Sequence, residues 1–358
     1  MRIAQLAPLA ESVPPKLYGG TERVVAWLVD ELVELGHDVT LFASGDSKTR
    51  GELHAVWPRA LRLGRKGTDP AVASALLLEA ISKRAHEFDV IHAHIDWLAL
   101  PLLRRLNVPF LTTMHGRLDL PGLPELIREF SEASFVSISD QQRRHLPQAN
   151  WIGTIHHGLP ANLFRPSYED GSYLAFLGRL TAEKGPEDAI RIAGAAGKTL
   201  RIAAKVPRTE TAYFKKRLEP QIDGKKVQLV GEVDEAKKQP FLAQAAALLF
   251  PIDWPEPFGL VMIEAMACGT PVIAYRAGSV PEVIDDGVTG FIVDSEEQAV
   301  SAVRELPRLD RRKVRARFEE RFSAYRMARQ YESRYRELIA AAPSESDVCR
   351  LNGYPAGA

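Results

Sequence analysis

Apolar residues recur along this chain in two alternating rhythms. Short runs such as Ile3 to Ala7, Val39 to Ala43, Val90 to His94 and Phe110 to Met114 are bounded by turn residues and read as buried strands. Between them, over Thr21 to Leu35 and residues 70 to 86, apolar positions fall three and four apart, the spacing of a helix with one buried face. A helix over Pro101 to Leu106 and strands over Phe135 to Ile138 and Thr154 to Ile155 continue the series. The alternation restarts at Tyr173 and runs through a helix at 187–196, a strand at Leu200 to Ala203 and a helix around 209–218. A strand at Val227 to Val230, a helix around 235–246 and strands at Ala247 to Phe250, Val272 to Ala274 and Gly290 to Val293 complete it. Helices follow from about 296 and about 311, and the last runs from Tyr325 to Ala341. Such βα alternation predicts an α/β protein with two doubly wound parallel sheets, each covered on both faces.

The segment Asn162 to Gly171 lacks periodicity and carries Pro and Gly, so it reads as a linker. The expected organisation is a Rossmann-like domain over 1–165, a second over 166–322 and a C-terminal helix over 323–342. The tail from 343 to 358 has no pattern and is expected to be disordered.

Composition changes this picture mainly by exclusion. The chain has 358 residues, 46% of them hydrophobic, enough for two cores. Lys+Arg and Asp+Glu both number 46, so there is no net charge to draw the protein to nucleic acid or to a membrane surface. The cysteines, Cys268 and Cys349, form neither a disulfide framework nor a metal motif. No apolar run approaches the roughly 20 residues of a membrane span, and the first strand is too short for a signal sequence. A cytoplasmic protein is expected, with peripheral membrane contact left open.

The candidate chemistry centres on Glu256-Pro-Phe-Gly-Leu-Val-Met-Ile-Glu264. Pro257 stands where a loop hands over to a helix, and the helix ends at Cys268-Gly-Thr-Pro271. Glu256 then lies on the loop before a helix start and Glu264 about one turn inside. Free amides of Phe258, Gly259, Leu260 and Val261 would point into the same cleft, where they favour an anion such as a diphosphate. Carboxylates beside them suit paired sugar hydroxyls.

Other residues gather around this motif. Gly19-Gly20-Thr21-Glu22 occupies the first βα turn and serves either turn geometry or close approach to a phosphate or acceptor. It is neither a dinucleotide fingerprint nor a P-loop. Gly178-Arg179 to Lys184-Gly185 places two cations at the crevice end of a strand, where open α/β sheets bind ligands. His115 follows a strand directly and suits a sugar hydroxyl. His92, His94 and Asp96 alternate onto one face like a metal set, but no further ligand follows at suitable spacing and there is no D-x-D. No metal is expected.

With these motifs in this order, residues 1 to 340 resemble glycosyltransferase family 4. The E-x7-E helix start and the Gly-Arg…Glu-Lys-Gly loop are the specific elements. The resemblance implies GT-B architecture: two Rossmann-like domains facing a cleft, with the last helix crossing back to the N-terminal domain. It implies a retaining, metal-independent hexosyltransferase using a nucleotide sugar, UDP-glucose by family habit. Glu256 would hold hydroxyls of the transferred sugar and Glu264 those of the ribose. Arg179 and Lys184 would bind the diphosphate, and the amides of residues 258 to 261 the donor sugar and phosphates. His115 would meet the sugar near its 6-position, Gly20 the donor phosphate or the acceptor. The base would lie near Glu232 and Val233. Lys205 stands where many members have a Gly-rich strand end; it either adds a third cation or faces solvent. The unknown hydroxyl acceptor would meet the N-terminal side, with Tyr18, Asp96, Trp97, Arg117 and Asp119 as candidates. The alternatives are a GT-B-shaped nucleotide-sugar epimerase and a nucleotide-sugar binding protein without turnover.

Overall fold

The computed structural model describes residues 1–16, 19–64 and 67–342. Tyr18 and the tail expected from 343 lie outside the described residues.

The first sheet comprises β1 (Arg2–Leu6), β2 (Asp38–Ser44), β3 (Glu52–Trp57), β4 (Val90–Ala93), β5 (Phe110–Thr113), β6 (Phe135–Ser137) and β7 (Trp151–Thr154). Its order is β3-β2-β1-β4-β5-β6-β7, with every pairing parallel. Helices α1 (Gly20–Glu34), α2 (Pro70–Arg84), α3 (Leu100–Leu103), α4 (Leu123–Glu129) and α5 (Asp140–Arg143) join the strands. Successive strand residues serve opposite faces, as a period of two requires. Ile3, Val39, Leu41 and Val90 enter the core that contains α1, whereas Ala4, Leu6, Phe42 and Ile91 pack with Ala73, Leu77 and Ile81 of α2. Burial on both faces is why these strands read as continuous apolar runs.

The second sheet comprises β8 (Tyr173–Arg179), β9 (Leu200–Lys205), β10 (Val227–Gly231), β11 (Ala245–Phe250), β12 (Val272–Tyr275) and β13 (Gly290–Val293). It is parallel throughout, in the order β10-β9-β8-β11-β12-β13. Its helices are α6 (Pro186–Ala195), α7 (Thr211–Tyr213), α8 (Glu235–Ala243), α9 (Leu260–Ala267), α10 (Val280–Val283) and α11 (Glu296–Glu305). The expected helix around 209–218 is instead a string of short turns, with α7 running into a π turn at Phe214–Leu218. Pro207 and Pro220 bracket it and prevent a longer regular helix. Four elements among the described residues have no counterpart in the sequence pattern. β3 is a partly exposed edge strand of mixed polarity, and α4, α5 and α10 are too short to display a period.

Helices α12 (Arg311–Arg321) and α13 (Ala324–Ala341) are the last among the described residues. Phe318 and Phe322 are fully buried, as are Tyr331 and Tyr335 of α13, which lies against α1 and β4 of the first half. The two crossings between halves run side by side: the Leu159 amide donates to the Phe322 carbonyl and the Ala324 amide to the Leu159 carbonyl, at 2.9 and 2.8 Å. Gly158 permits this approach, since a Cβ there would stand 2.3 Å from the Ser323 carbonyl oxygen.

Candidate active site between the two sheets

Strand order reverses between β1 and β4 in one sheet and between β8 and β11 in the other. Ligands of open α/β sheets bind at such switch points, beyond the carboxyl ends of the strands, because the flanking loops diverge there. The loops at these points carry Gly19-Gly20, the segment after His94, the Arg179–Lys184 segment and the Trp254–Glu256 segment. Between them lies a cleft of about 500 Å³ lined from both halves.

Glu256 and Glu264 both line it, and both are buried. Glu256 accepts from Trp254 Nε1 at 3.0 Å and pairs with Lys184, whose ammonium lies 4.4 Å from the Trp254 ring centroid. Glu264 pairs with Lys238 Nζ at 2.6 Å. Each carboxylate thus has one lysine partner that holds its charge in a dry environment, a condition burial imposes. The Glu256 and Phe258 carbonyls accept from the Ser279 amide and hydroxyl at 3.0 and 2.7 Å, which fixes the loop before α9. Gly259 caps α9 at φ 77°; a side chain there would be strained and its Cβ would lie 2.8 Å from Met262 Cε. The first amides of α9 have no intrahelical acceptor.

Arg179 and Lys205 are register partners at the ends of β8 and β9, and both line the cleft with Lys184. Arg179 Nη2 reaches Glu183 at 3.4 Å, while its buried Nε has no partner. Gly20 begins α1 opposite α9: a Cβ on Gly20 would sit 3.5 Å from Leu260 Cδ1. Two helix starts from different halves therefore face one another across the cleft. Glu232 and Val233 line its far end, after β10.

His115 lines the opposite wall with Gly116 and Arg117. Burial drives its pKa down to about 3, so the ring is neutral at physiological pH. Its Nε2 lies 2.9 Å from His94 Nδ1, and its buried Nδ1 has no partner. Its amide donates to Asp96 Oδ1 at 3.2 Å, and Asp96 adopts φ 52° to reach it. Asp96 thus anchors the His115 turn from behind; burial raises its pKa. Trp97 packs beside the cluster around Leu100 and Phe135, and neither Asp96 nor Trp97 lines the cleft. Arg117 is at the rim, bound twice to Asp119 at 2.8 and 2.6 Å. Both ring nitrogens of His92 and His94 are engaged by protein groups.

Sequence profiles of two families account for most of the chain: "Glycosyltransferase Family 4" matches residues 18–167 and "Glycosyl transferases group 1" residues 164–323. The protein belongs to glycosyltransferase family 4. D-inositol 3-phosphate glycosyltransferase of Mycobacterium leprae (strain Br4923) is 27% identical over 263 residues, 59% of this chain and 59% of the relative. The enzyme of the same name from Mycobacterium tuberculosis (strain ATCC 25177 / H37Ra) is 27% identical over 287 residues, 66% of this chain and 57% of the relative. The matches therefore span less than two-thirds of these relatives' lengths. Among solved structures, sucrose-phosphate synthase from Thermosynechococcus elongatus superposes with a TM-score of 0.77 at 20% identity, covering 95% of this chain and 99% of that one. Anabaena HepE in complex with UDP-glucose gives 0.70 at 20%, covering 94% and 100%. These likenesses show a shared GT-B fold.

In this family 4 chain several cleft residues carried no signal in the sequence. Lys238 sits on α8 without a motif, and only the tertiary pairing with Glu264 reveals it. His157 is buried, stacks on His115 with centroids 5.3 Å apart and meets Phe258 edge-on at 4.9 Å. Trp254 was legible in principle, being an aromatic two residues before Glu256. Arg23, on α1, pairs across the cleft with Glu235 of α8.

Proposed function

We propose that this glycosyltransferase moves a hexose, glucose first among candidates, from a UDP-linked donor to a hydroxyl acceptor with retention of anomeric configuration and without a metal. The observation that carries the reading is the gathering of Glu256, Glu264, Arg179, Lys184 and Lys205 around the start of α9 in one cleft. Carboxylates at both ends with cations and free amides between them match sugar hydroxyls, ribose hydroxyls and an intervening diphosphate. The UDP-glucose bound by Anabaena HepE, which has the same fold, supports the same donor class.

In this reading the chemistry is stabilisation of a departing diphosphate. Positive charge grows at the anomeric carbon while negative charge collects on the leaving oxygen. Arg179, Lys184, Lys205 and the α9 amides meet that negative charge in place, and removing one such donor typically costs about 10²–10³ in rate. The departing phosphate oxygen takes the acceptor's proton on the same face. Glu256, held by Lys184 and Trp254, orients hydroxyls and is not the attacking group.

A panel of nucleotide sugars screened by thermal shift tests the donor assignment, because a ligand that binds only the native state raises apparent stability. UDP-glucose should give the largest shift. Product NMR should then show the donor's α-linkage preserved, with inositol phosphates as first acceptors because the mycobacterial relatives are named for one. Inverted product, or epimerised UDP-sugar without any acceptor, would refute the reading.

A further inference from the structure

A chain of buried hydrogen bonds runs from the returning helix to the cleft. Gln5 of β1 and His92 of β4 are register partners with their side chains toward α13. Gln5 Nε2 donates to the Tyr335 hydroxyl at 3.0 Å, and that hydroxyl lies 2.8 Å from His92 Nδ1. On its other side, Gln5 Oε1 lies 2.7 Å from His94 Nε2, and His94 Nδ1 lies 2.9 Å from His115 Nε2. His115 Nδ1 ends the chain without a protein partner.

An amide is the one link whose two ends cannot exchange roles: its nitrogen only donates and its oxygen only accepts. Gln5 therefore sets the polarity of every bond beyond it. With Oε1 accepting, His94 must carry its proton on Nε2, which leaves Nδ1 as an acceptor. His115 must then donate from Nε2, which leaves its Nδ1 as a bare lone pair. An inverted amide would reverse each bond and present an N–H to the cleft instead. The first direction is the one the amide's orientation gives, with Nε2 toward the Tyr335 hydroxyl and Oε1 toward His94 Nε2.

We infer that Gln5, acting through His94, is a positioning residue that locks His115 in the Nε2–H tautomer, so that His115 meets its substrate as a hydrogen-bond acceptor. The substrate group it takes is one that donates, a sugar hydroxyl, and not an ether or carbonyl oxygen. The locking is a property of the substrate-free protein; that the hydroxyl is the donor sugar's rests on the function proposed above. Tyr335 adds a role for the returning helix, whose hydroxyl supports the hydrogen-bond chain behind the site as well as the packing.

NMR of the whole protein with ¹⁵N-labelled histidine tests the tautomer, with His115 assigned from the spectrum of His115→Ala. A pyrrole-like Nε2 and a pyridine-like Nδ1 are expected at neutral pH; a protonated Nδ1 overturns the inference. Gln5→Leu should give mixed His115 tautomers, and Gln5→Glu, which keeps an accepting oxygen, should restore the single form. A single unchanged tautomer in Gln5→Leu overturns the role of Gln5. Should that variant not fold, Tyr335→Phe serves: it leaves Oε1 in place and should keep the tautomer, and a switched tautomer overturns the assignment. In kinetics, Gln5→Leu should lower kcat about tenfold, far less than the ~10⁴ that a wrong tautomer costs where the histidine itself moves protons. A UDP-glucose analogue with fluorine for the 6-hydroxyl should lose about tenfold in kcat/KM, since fluorine cannot donate. Full activity with that analogue would remove the donor-sugar contact, and the NMR result would decide the tautomer alone.

Discussion

Lys184 and Glu256, 72 residues apart in the chain, form an ion pair inside the cleft, each also in contact with Trp254. The pair joins the loop after β8 to the loop after β11 at the point where the second sheet reverses its order. Neither charge is free, so substitution at one strands the other.

Glu256→Ala and Glu264→Ala should separate two functions. Glu264→Ala should raise the UDP dissociation constant about tenfold or more, the scale of a lost charged hydrogen bond. Glu256→Ala should leave UDP affinity nearly intact and abolish transfer. Calorimetry with UDP beside a transfer assay checks this, and equal losses of affinity would void the division.

His115→Ala should likewise bind UDP nearly as well as the parent while turning over at least about a hundredfold more slowly. A large affinity loss would place the ring at the nucleotide.

Acid should destabilise the protein through its buried histidines. Burial lowers the pKa of His92, His94, His115 and His157 below the ordinary value of 6.5. Below pH 6.5 the unfolded chain therefore binds protons that the native state refuses. Stability is complete above that pH and falls as pH drops toward the native values, by up to about 1.4 kcal/mol per pH unit for each histidine. Thermal melts from pH 8 to pH 4 should show a falling Tm that begins near 6.5. A flat profile would mean that the rings are solvated.

Activity should survive excess EDTA, because Arg179, Lys184 and Lys205 supply the charge that a divalent ion otherwise would. Loss of turnover restored by Mg²⁺ or Mn²⁺ alone would reverse the prediction.

The halves are tied by more than the linker. Glu282 of the second half accepts from the Asp140 and Gln141 amides of the first at 2.6 and 2.7 Å, and lies 3.3 Å from His156 Nε2. Glu282→Ala should open the cleft, seen as a larger radius in small-angle scattering, and UDP should compact the variant more than the parent. Identical scattering curves would show that these bonds do not hold the halves together.

Local pattern alone determined the alternation of strands and helices and the loops that carry Glu256, Arg179 and His115. Those features depend on period, on Gly and Pro, and on position along a strand, all of which are written in neighbouring residues. Edge strand β3 and the short helices α4, α5 and α10 escaped because partial exposure and brevity erase the period. Tertiary structure decided what the charges do. Lys238 finds Glu264, and Arg23 finds Glu235, through the packing of elements far apart in the chain. Asp96 proved a brace for the His115 turn because its backbone conformation, not its neighbours, aims the carboxylate. Sequence could mark His92 and His94 as sharing a face, but only the return of α13 supplied the Tyr335 hydroxyl that completes their hydrogen bonds. A buried donor needs an acceptor, and which residue provides it is settled by the fold in three dimensions.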